Sequence, residues 1–284
     1  MAEREGEVTR VLRRVAQTLD RGKYDEALRE LMRLSEKYPD AGEIRPQIAE
    51  VLIRRGRSRA RKGRIREARA DFERSLGWSP RQEAYVAMAE TLMAEGCLEE
   101  AQRMLHASLE RDDRHGPTHA ALGAVLMRWE DWGEAARAFE RALGLGYATP
   151  EVYRRAWEAY GRLDRPDRAH ELILEGAGRF PEDAAVQAAA GDSWALLRGD
   201  LEAAIPYWEA AVRADPRDFR TLFALAGAEA SRGRREEALG YLKRCVALDA
   251  GRTRDLWRED LESSWPRFRE CARDPDFLRV LGLL

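Results

Sequence analysis

Asparagine is absent from this chain of 284 residues, and lysine nearly so, with 4 lysines against 45 arginines. That bias reads as a GC-rich bacterial coding sequence, so arginine abundance alone marks no site. Cysteine occurs three times, at Cys97, Cys245 and Cys271; an odd, dispersed set argues against both a disulfide framework and a zinc site. No stretch reaches the roughly 18 apolar residues of a membrane span. The N-terminus, Met1 to Arg14, is charged throughout and lacks the apolar stretch of a secretory signal, which points to the cytoplasm. No phosphate-cradling glycine loop, dinucleotide fingerprint or nucleophile elbow is present, so neither an enzyme nor a bound cofactor is expected.

Histidine is scarce too, with four in the chain. His115 and His119 have the spacing that puts two metal ligands on one helical face, but Gly116 and Pro117 stand between them, so His115 is expected before the helix. His106 and His170 fall in second helices of helical pairs, without a neighbouring cysteine or nucleophile. The pairs Asp112-Asp113 and Glu99-Glu100 sit at loops or helix starts, where acids complement the helix dipole. No metal site follows from these residues.

What the chain does have is a period. Alanine recurs at Ala27, Ala68, Ala101, Ala135, Ala169, Ala204 and Ala238, at intervals of 41, 33, 34, 34, 35 and 34 residues. Four residues after each stands a large apolar side chain: Leu31, Phe72, Leu105, Phe139, Ile173, Trp208 and Leu242. Twelve after it stand Pro39, Pro80, Pro181 and Pro216, and five before it Gly22, Gly63, Gly96, Gly199 and Gly233. Glycine there suits a helix end that must pass through a left-handed residue. Seven after it, small residues recur at Ser75, Ser108, Ala142, Ala211 and Cys245, which accounts for that cysteine. Alanine and small residue share one helical face and let neighbouring helices approach, while the large residue fills the groove between them. Such a chain is a continuous stack of helical pairs without a central globular core.

This register resembles the tetratricopeptide repeat family over about Val8 to Arg252. The resemblance implies an all-α, right-handed superhelical solenoid of about seven repeats, with units near 8–41, 49–81, 82–115, 116–149, 150–183, 184–218 and 219–252. Leu122, Gly123 and Leu126 fit the family's first-helix spacing, and Gly191 and Trp194 fit it in the sixth unit if one extra residue lies in the following turn. Trp157 stands where the family has a small residue, and local bulging is expected there. Seven extra residues, 42–48, precede the second unit; they amount to about two helical turns, with Pro46 in the first turn of a lengthened helix. In that helix Arg55 and Arg59 replace apolar residues, so either the register slips or the helix packs by one edge. Residues 253–284, with Trp257, Leu261, Trp265, Phe268, Phe277, Leu278 and Leu281, are expected to form capping helices over the last apolar face.

The resemblance further implies that positions two, five, six, nine, twelve and thirteen of each unit face a ligand in a concave groove. These include Glu50, Arg54, Arg57 and Arg61; Glu151, Arg154, Arg155, Glu158 and Arg162; and Arg220 and Phe223, with alanines and Leu196 in the sixth unit. The groove is expected to run from basic to small and apolar, suiting an acidic or amphipathic segment of a partner protein with one hydrophobic anchor. The densest charge is Arg54, Arg55, Arg57, Arg59, Arg61, Lys62, Arg64, Arg66 and Arg69 against Glu67, nine minus one, or plus eight. It could hold phosphates or carboxylates, or be a solvated helix face. Nucleic acid is the alternative partner, disfavoured by a net charge of −2, a pI near 6.2 and the lack of aromatics among the arginines. A clamp of asparagines and lysines around a terminal carboxylate fits poorly, since there is no asparagine. Trp132 falls in a packing column, whereas Trp129 is open to a docking role. The sequence therefore predicts a non-catalytic protein-interaction scaffold, with an adaptor for nucleic acid or another polyanion through 54–69 as the alternative.

Overall fold

The computed structural model describes residues 2–263 and 266–284, so Trp265, expected in the cap, lies outside the described residues. Among those residues there are sixteen α-helices, one 3-10 turn and no strand. The chain divides into two compact units, 1–147 and 148–284. The first holds α1 (Ala2–Asp20), α2 (Tyr24–Lys37), α3 (Ile44–Arg61), α4 (Ile65–Trp78), α5 (Gln82–Ala94), α6 (Leu98–Leu109), α7 (Gly116–Arg128) and α8 (Trp132–Gly144). The second holds α9 (Pro150–Arg162), α10 (Pro166–Arg179), α11 (Ala184–Leu197), α12 (Leu201–Ala214), α13 (Phe219–Ser231), α14 (Arg235–Leu248), α15 (Ala250–Glu262), a 3-10 turn (Arg269–Cys271) and α16 (Pro275–Leu281). From α1 to α14 each odd-numbered helix packs against the even one after it, and within each unit that helix packs against the next pair.

The turn inside each pair is set by one backbone conformation. Gly22, Gly63, Gly96, Gly199 and Gly233 have φ between +66° and +81°, and where glycine is missing Glu130 and Asp164 take φ of +61° and +54°. The left-handed residue lets the following amide reach back to an orphan carbonyl, as Lys23 N does to Thr18 O at 3.1 Å and Asp131 N to Leu126 O at 3.0 Å. Each of the two side-chain-bearing residues holds this conformation at a cost of about 1–2 kcal/mol relative to glycine.

All seven signature alanines are fully buried. Where the large residue four positions on is aromatic, it seats against a glycine of the preceding first helix. A Cβ on Gly56 would stand 2.5 Å from the Phe72 ring, one on Gly123 would stand 2.7 Å from Phe139, and one on Gly191 would collide with Trp208. Each such aromatic contributes about 1.5–3 kcal/mol by leaving water. Gly191 thus takes the place assigned from sequence. The expected bulge at Trp157 does not interrupt α9; Trp157 is half-buried against the Ile173 cluster, and space is made where Gly176 meets the Tyr153 side chain.

α3 runs for 18 residues with Pro46 in its first turn. Its register does not slip, and it does not pack by one edge: Ile48, Ala49, Val51, Leu52, Ile53 and Gly56 are all buried. Arg55, 9 % exposed, is accommodated because Asp71 on α4 takes its guanidinium through two hydrogen bonds of 2.9 and 2.6 Å. Arg59 Nη1 reaches the same carboxylate at 2.6 Å, and Asp25 on α2 accepts from Arg55 Nη1 at 2.5 Å. Beyond α14, Trp257 stacks at 4.6 Å on Phe268 and 5.7 Å from Phe277, all three buried. None of the described helices is long and apolar enough to cross a membrane.

Candidate functional site

In the first unit α3, α5 and α7 lie side by side. Arg54, Arg57 and Arg61 on α3 are exposed, as is Glu90 on α5, while Met93 on α5 and Ala120, Ala121, Ala124 and Met127 on α7 are half-buried. The face is therefore an arginine row, a glutamate row and a small apolar floor. Arg54 Nε donates to Glu50 Oε1 at 2.6 Å, and Arg81 bridges Glu50 at 2.9 Å and Glu83 at 3.3 Å. Arg57 and Arg61 form no ion pair among the described residues. Desolvation pushes the Glu90 carboxyl above its usual range against the pull of Arg57.

The expectation that Glu67 alone opposes the basic run is corrected. Arg54 pairs with Glu50, Arg55 and Arg59 with Asp71, Arg64 with Glu67 at 2.5 Å, and Arg69 with Glu73 and Glu100 at 3.1 and 3.2 Å. The run spans the end of α3, the turn and the start of α4, and it meets acids on both helices and on α6, which a count along the run does not see. Glu83 and Glu90 were also missed; carrying the register of the repeat at 49–81 into the repeat at 82–115 finds both, 33 residues after Glu50 and Arg57.

In the second unit Glu151 accepts from Arg154 Nη2 at 2.6 Å and from Arg155, with Glu158 half-buried on the same helix and Arg162 exposed. Arg220 on α13 reaches Asp192 on α11 at 2.6 Å, and the other oxygen of Asp192 accepts from Trp208 Nε1 at 3.0 Å. Asp192 is buried at the centre of an alanine-rich helix, and Leu196 at its end is 76 % exposed. Phe223 was expected at an open face. It is 5 % exposed, because Phe268 lies 5.3 Å from its ring and the Arg267 guanidinium 5.7 Å from it. The sequence-predicted residues thus fall into one set on α3 and another on α9 and α13.

No histidine is placed as a nucleophile's base at an open site. His170 Nδ1 meets Ser193 Oγ at 2.9 Å and His115 Nδ1 meets Thr118 Oγ1 at 2.7 Å, but Ser193 and Thr118 are fully buried. Among the described residues, no three histidine, cysteine or carboxylate side chains are grouped as metal ligands. Trp129 ends α7 at 37 % exposure, and Trp132 begins α8 half-buried.

A family model described as tetratricopeptide repeat matches residues 18–83 and 195–253. No curated protein matches the sequence. Among solved structures, PilF of Pseudomonas aeruginosa superposes with a TM-score of 0.67 at 18% identity, over 76% of this chain and 99% of that one. The C-terminal part of a repeat-containing protein from Cytophaga hutchinsonii gives 0.61 at 15% identity, over 86% of this chain and 98% of that one. YrrB, a repeat protein described as having an unusual peptide-binding site, gives 0.55 at 21% identity, over 67% and 98%. At these identities the likeness is one of fold.

Proposed function

With the chain a member of the tetratricopeptide repeat family, whose fold serves as a protein–protein interaction scaffold, we propose that it is a non-catalytic adaptor that binds an amphipathic segment of a partner protein on α3, α5 and α7. The observation that carries this is the pair Arg57 and Arg61, exposed and without ion pairs beside a floor of alanine and methionine. A segment acidic along one edge and apolar along the next matches the arginines and the floor, and a cation on it would pair with the exposed Glu90 carboxylate. Arg154, Arg155, Glu158, Arg162 and Arg220 extend the reading to the second unit, where their acids already hold Arg154, Arg155 and Arg220. A preformed helical face costs little ordering entropy, so modest contacts add to useful affinity. The peptide-binding site named for YrrB is consistent with such a role. The cytoplasm is the proposed location, and residues 253–284 the proposed end cap.

Binding to an array of acidic amphipathic peptides, compared between the natural chain and Arg57→Glu, Arg61→Glu, tests this reading. Retained peptides should lose about tenfold or more in affinity with the double reversal, since two close charge pairs become repulsive. Peptides that bind equally to both chains would remove the site from α3. A labelled oligonucleotide that binds instead, with affinity falling steeply as salt rises, would favour the polyanion alternative.

A further inference from the structure

The repeat position held by Arg57 on α3, Glu90 on α5 and Glu158 on α9 is reached by solvent in each of these helices. On α13 the same register position is Gly227, and there the helix face is covered by the chain's own residues. A Cβ on Gly227 would stand 3.0 Å from Arg267 Nε and 3.1 Å from its Cδ, so the arginine stem lies directly on the α13 backbone. Its guanidinium stands 5.7 Å from the Phe223 ring centre, within cation–π range, and Phe268 packs at 5.3 Å on the same ring.

Asp260, on α15 and buried, secures this pair from the opposite side. Oδ1 accepts from Arg267 Nε at 2.9 Å and Oδ2 accepts from the backbone N–H of Phe268 at 3.0 Å. One carboxylate thereby holds a guanidinium and the peptide group next to it through two charge-assisted contacts. The 3-10 turn Arg269–Cys271 then carries the chain along α13 toward α16. Three chemically distinct features converge on the pair: a glycine gap, an aromatic face and a carboxylate that accepts from both the guanidinium and the Phe268 N–H.

We propose that this face of α13 is a docking seat for an arginine–aromatic pair, occupied in cis by Arg267 and Phe268, and that a partner segment carrying the same pair enters by displacing them. The in-cis occupant is tethered at high local concentration, so a free segment sees its affinity reduced by the fraction of seats that are open. This inference is independent of the α3 face: either can fail while the other stands.

The test is fluorescence anisotropy with a labelled peptide of the sequence of residues 266–270, Pro-Arg-Phe-Arg-Glu, titrated with the full chain. In Arg267→Ala, Phe268→Ala the occupant is weakened while Phe223, Gly227 and Asp260 remain, and the peptide should bind about tenfold or more tighter than to the natural chain. Adding Gly227→Leu, which fills the gap, should abolish the gain. Equal affinity for the natural and double-variant chains, or a gain that survives Gly227→Leu, overturns the proposal. If loss of the buried Phe268 ring unfolds the variant by circular dichroism, hydrogen exchange on the natural chain decides: excess peptide should accelerate exchange of the Phe268 amide, and an unchanged rate overturns it.

Discussion

The two units build the same helical pair with different chemistry. In the first, six of the seven helix starts from α2 to α8 have no side-chain cap, Asp131 before α8 being the exception. In the second, Thr149, Asp183, Asp200, Asp218, Asp249 and Asp274 all accept a backbone N–H, leaving only α10 and α14 uncapped. The first unit seats α3 on a buried carboxylate shared by two arginines; the second closes on Trp257, Phe268 and Phe277. In the first unit polar groups are spent inside, at Asp71, and still left over on the α3 face. In the second, five aspartates are engaged by helix starts and Asp192 and Asp260 by Arg220 and Arg267, beside the alanine-rich α11. The repeat fixes where alanine and the large residue go and leaves the remaining positions free, and those positions decide what each unit can bind.

The largest effect that would sharpen this contrast is at Asp71, 1 % exposed. Asp71→Ala leaves Arg55 and Arg59 without their shared acid and should cost about 3–5 kcal/mol. Amide exchange should place the loss in α3 and α4. Replacing the pair by apolar residues, Arg55→Met with Asp71→Leu, should recover most of it, because desolvating the charges is then no longer required. If Asp71→Ala melts like the natural chain, the first unit does not depend on the buried ions and the contrast fails.

Helix starts give a smaller effect, in opposite directions in the two units. Asp218 accepts from Arg220 N at 3.2 Å and Thr221 N at 3.4 Å, and Asp218→Ala should destabilise α13 by about 1 kcal/mol. Cys97 stands before α6 at φ −84°, ψ 65°, close to Asp131 at φ −79°, ψ 72°, whose side chain does cap. Cys97→Asp should therefore stabilise the first unit by about 0.5–1 kcal/mol in thermal melts. No gain would mean that the first unit's bare helix starts are satisfied in another way.

Much of this was legible from the sequence because periodicity reports packing. The alanines, the large residues, five of the seven left-handed turns and the places of Gly191 and Pro46 follow from one register. Glu130 and Asp164 were hidden because the backbone conformation is imposed by the fold on residues that do not favour it. The Arg55–Asp71 pair was hidden because its partners lie sixteen residues apart on two helices, and the covering of Phe223 because the tail that does it has no period. The candidate site was legible only in part. The sequence located the arginines of α3 but not the glutamates of α5 beside them, and charge counted along a strand of text is not charge summed over a surface.

The smallest effect contrasts two exposed ties, one near each end of the chain. In the second unit Arg235 grips Asp274 with hydrogen bonds of 2.8 and 2.9 Å and also meets Asp276, joining α14 to α16. These bonds pull the Asp274 carboxyl from 3.8 down to about 2. A carboxyl lowered in the folded state contributes stability above its unfolded value and loses it as pH falls through the folded one. The advantage of the natural chain over Arg235→Gln should therefore be constant above pH ~5, shrink between about 4 and 2, and vanish below. In the first unit hydrogen bonds from Lys37 and then Tyr38 lower the Glu7 carboxyl, tying α1 to α2 in the same sense. Salt separates the two ties. Single exposed pairs are weak and screened, whereas the Arg235 fork is held in a fixed geometry, so about 0.5 M salt should erase the Lys37→Gln effect while leaving part of the Arg235→Gln effect measurable by exchange in α16. Equal loss at both ends would show that the fork gives α16 no more hold than a single pair gives α1.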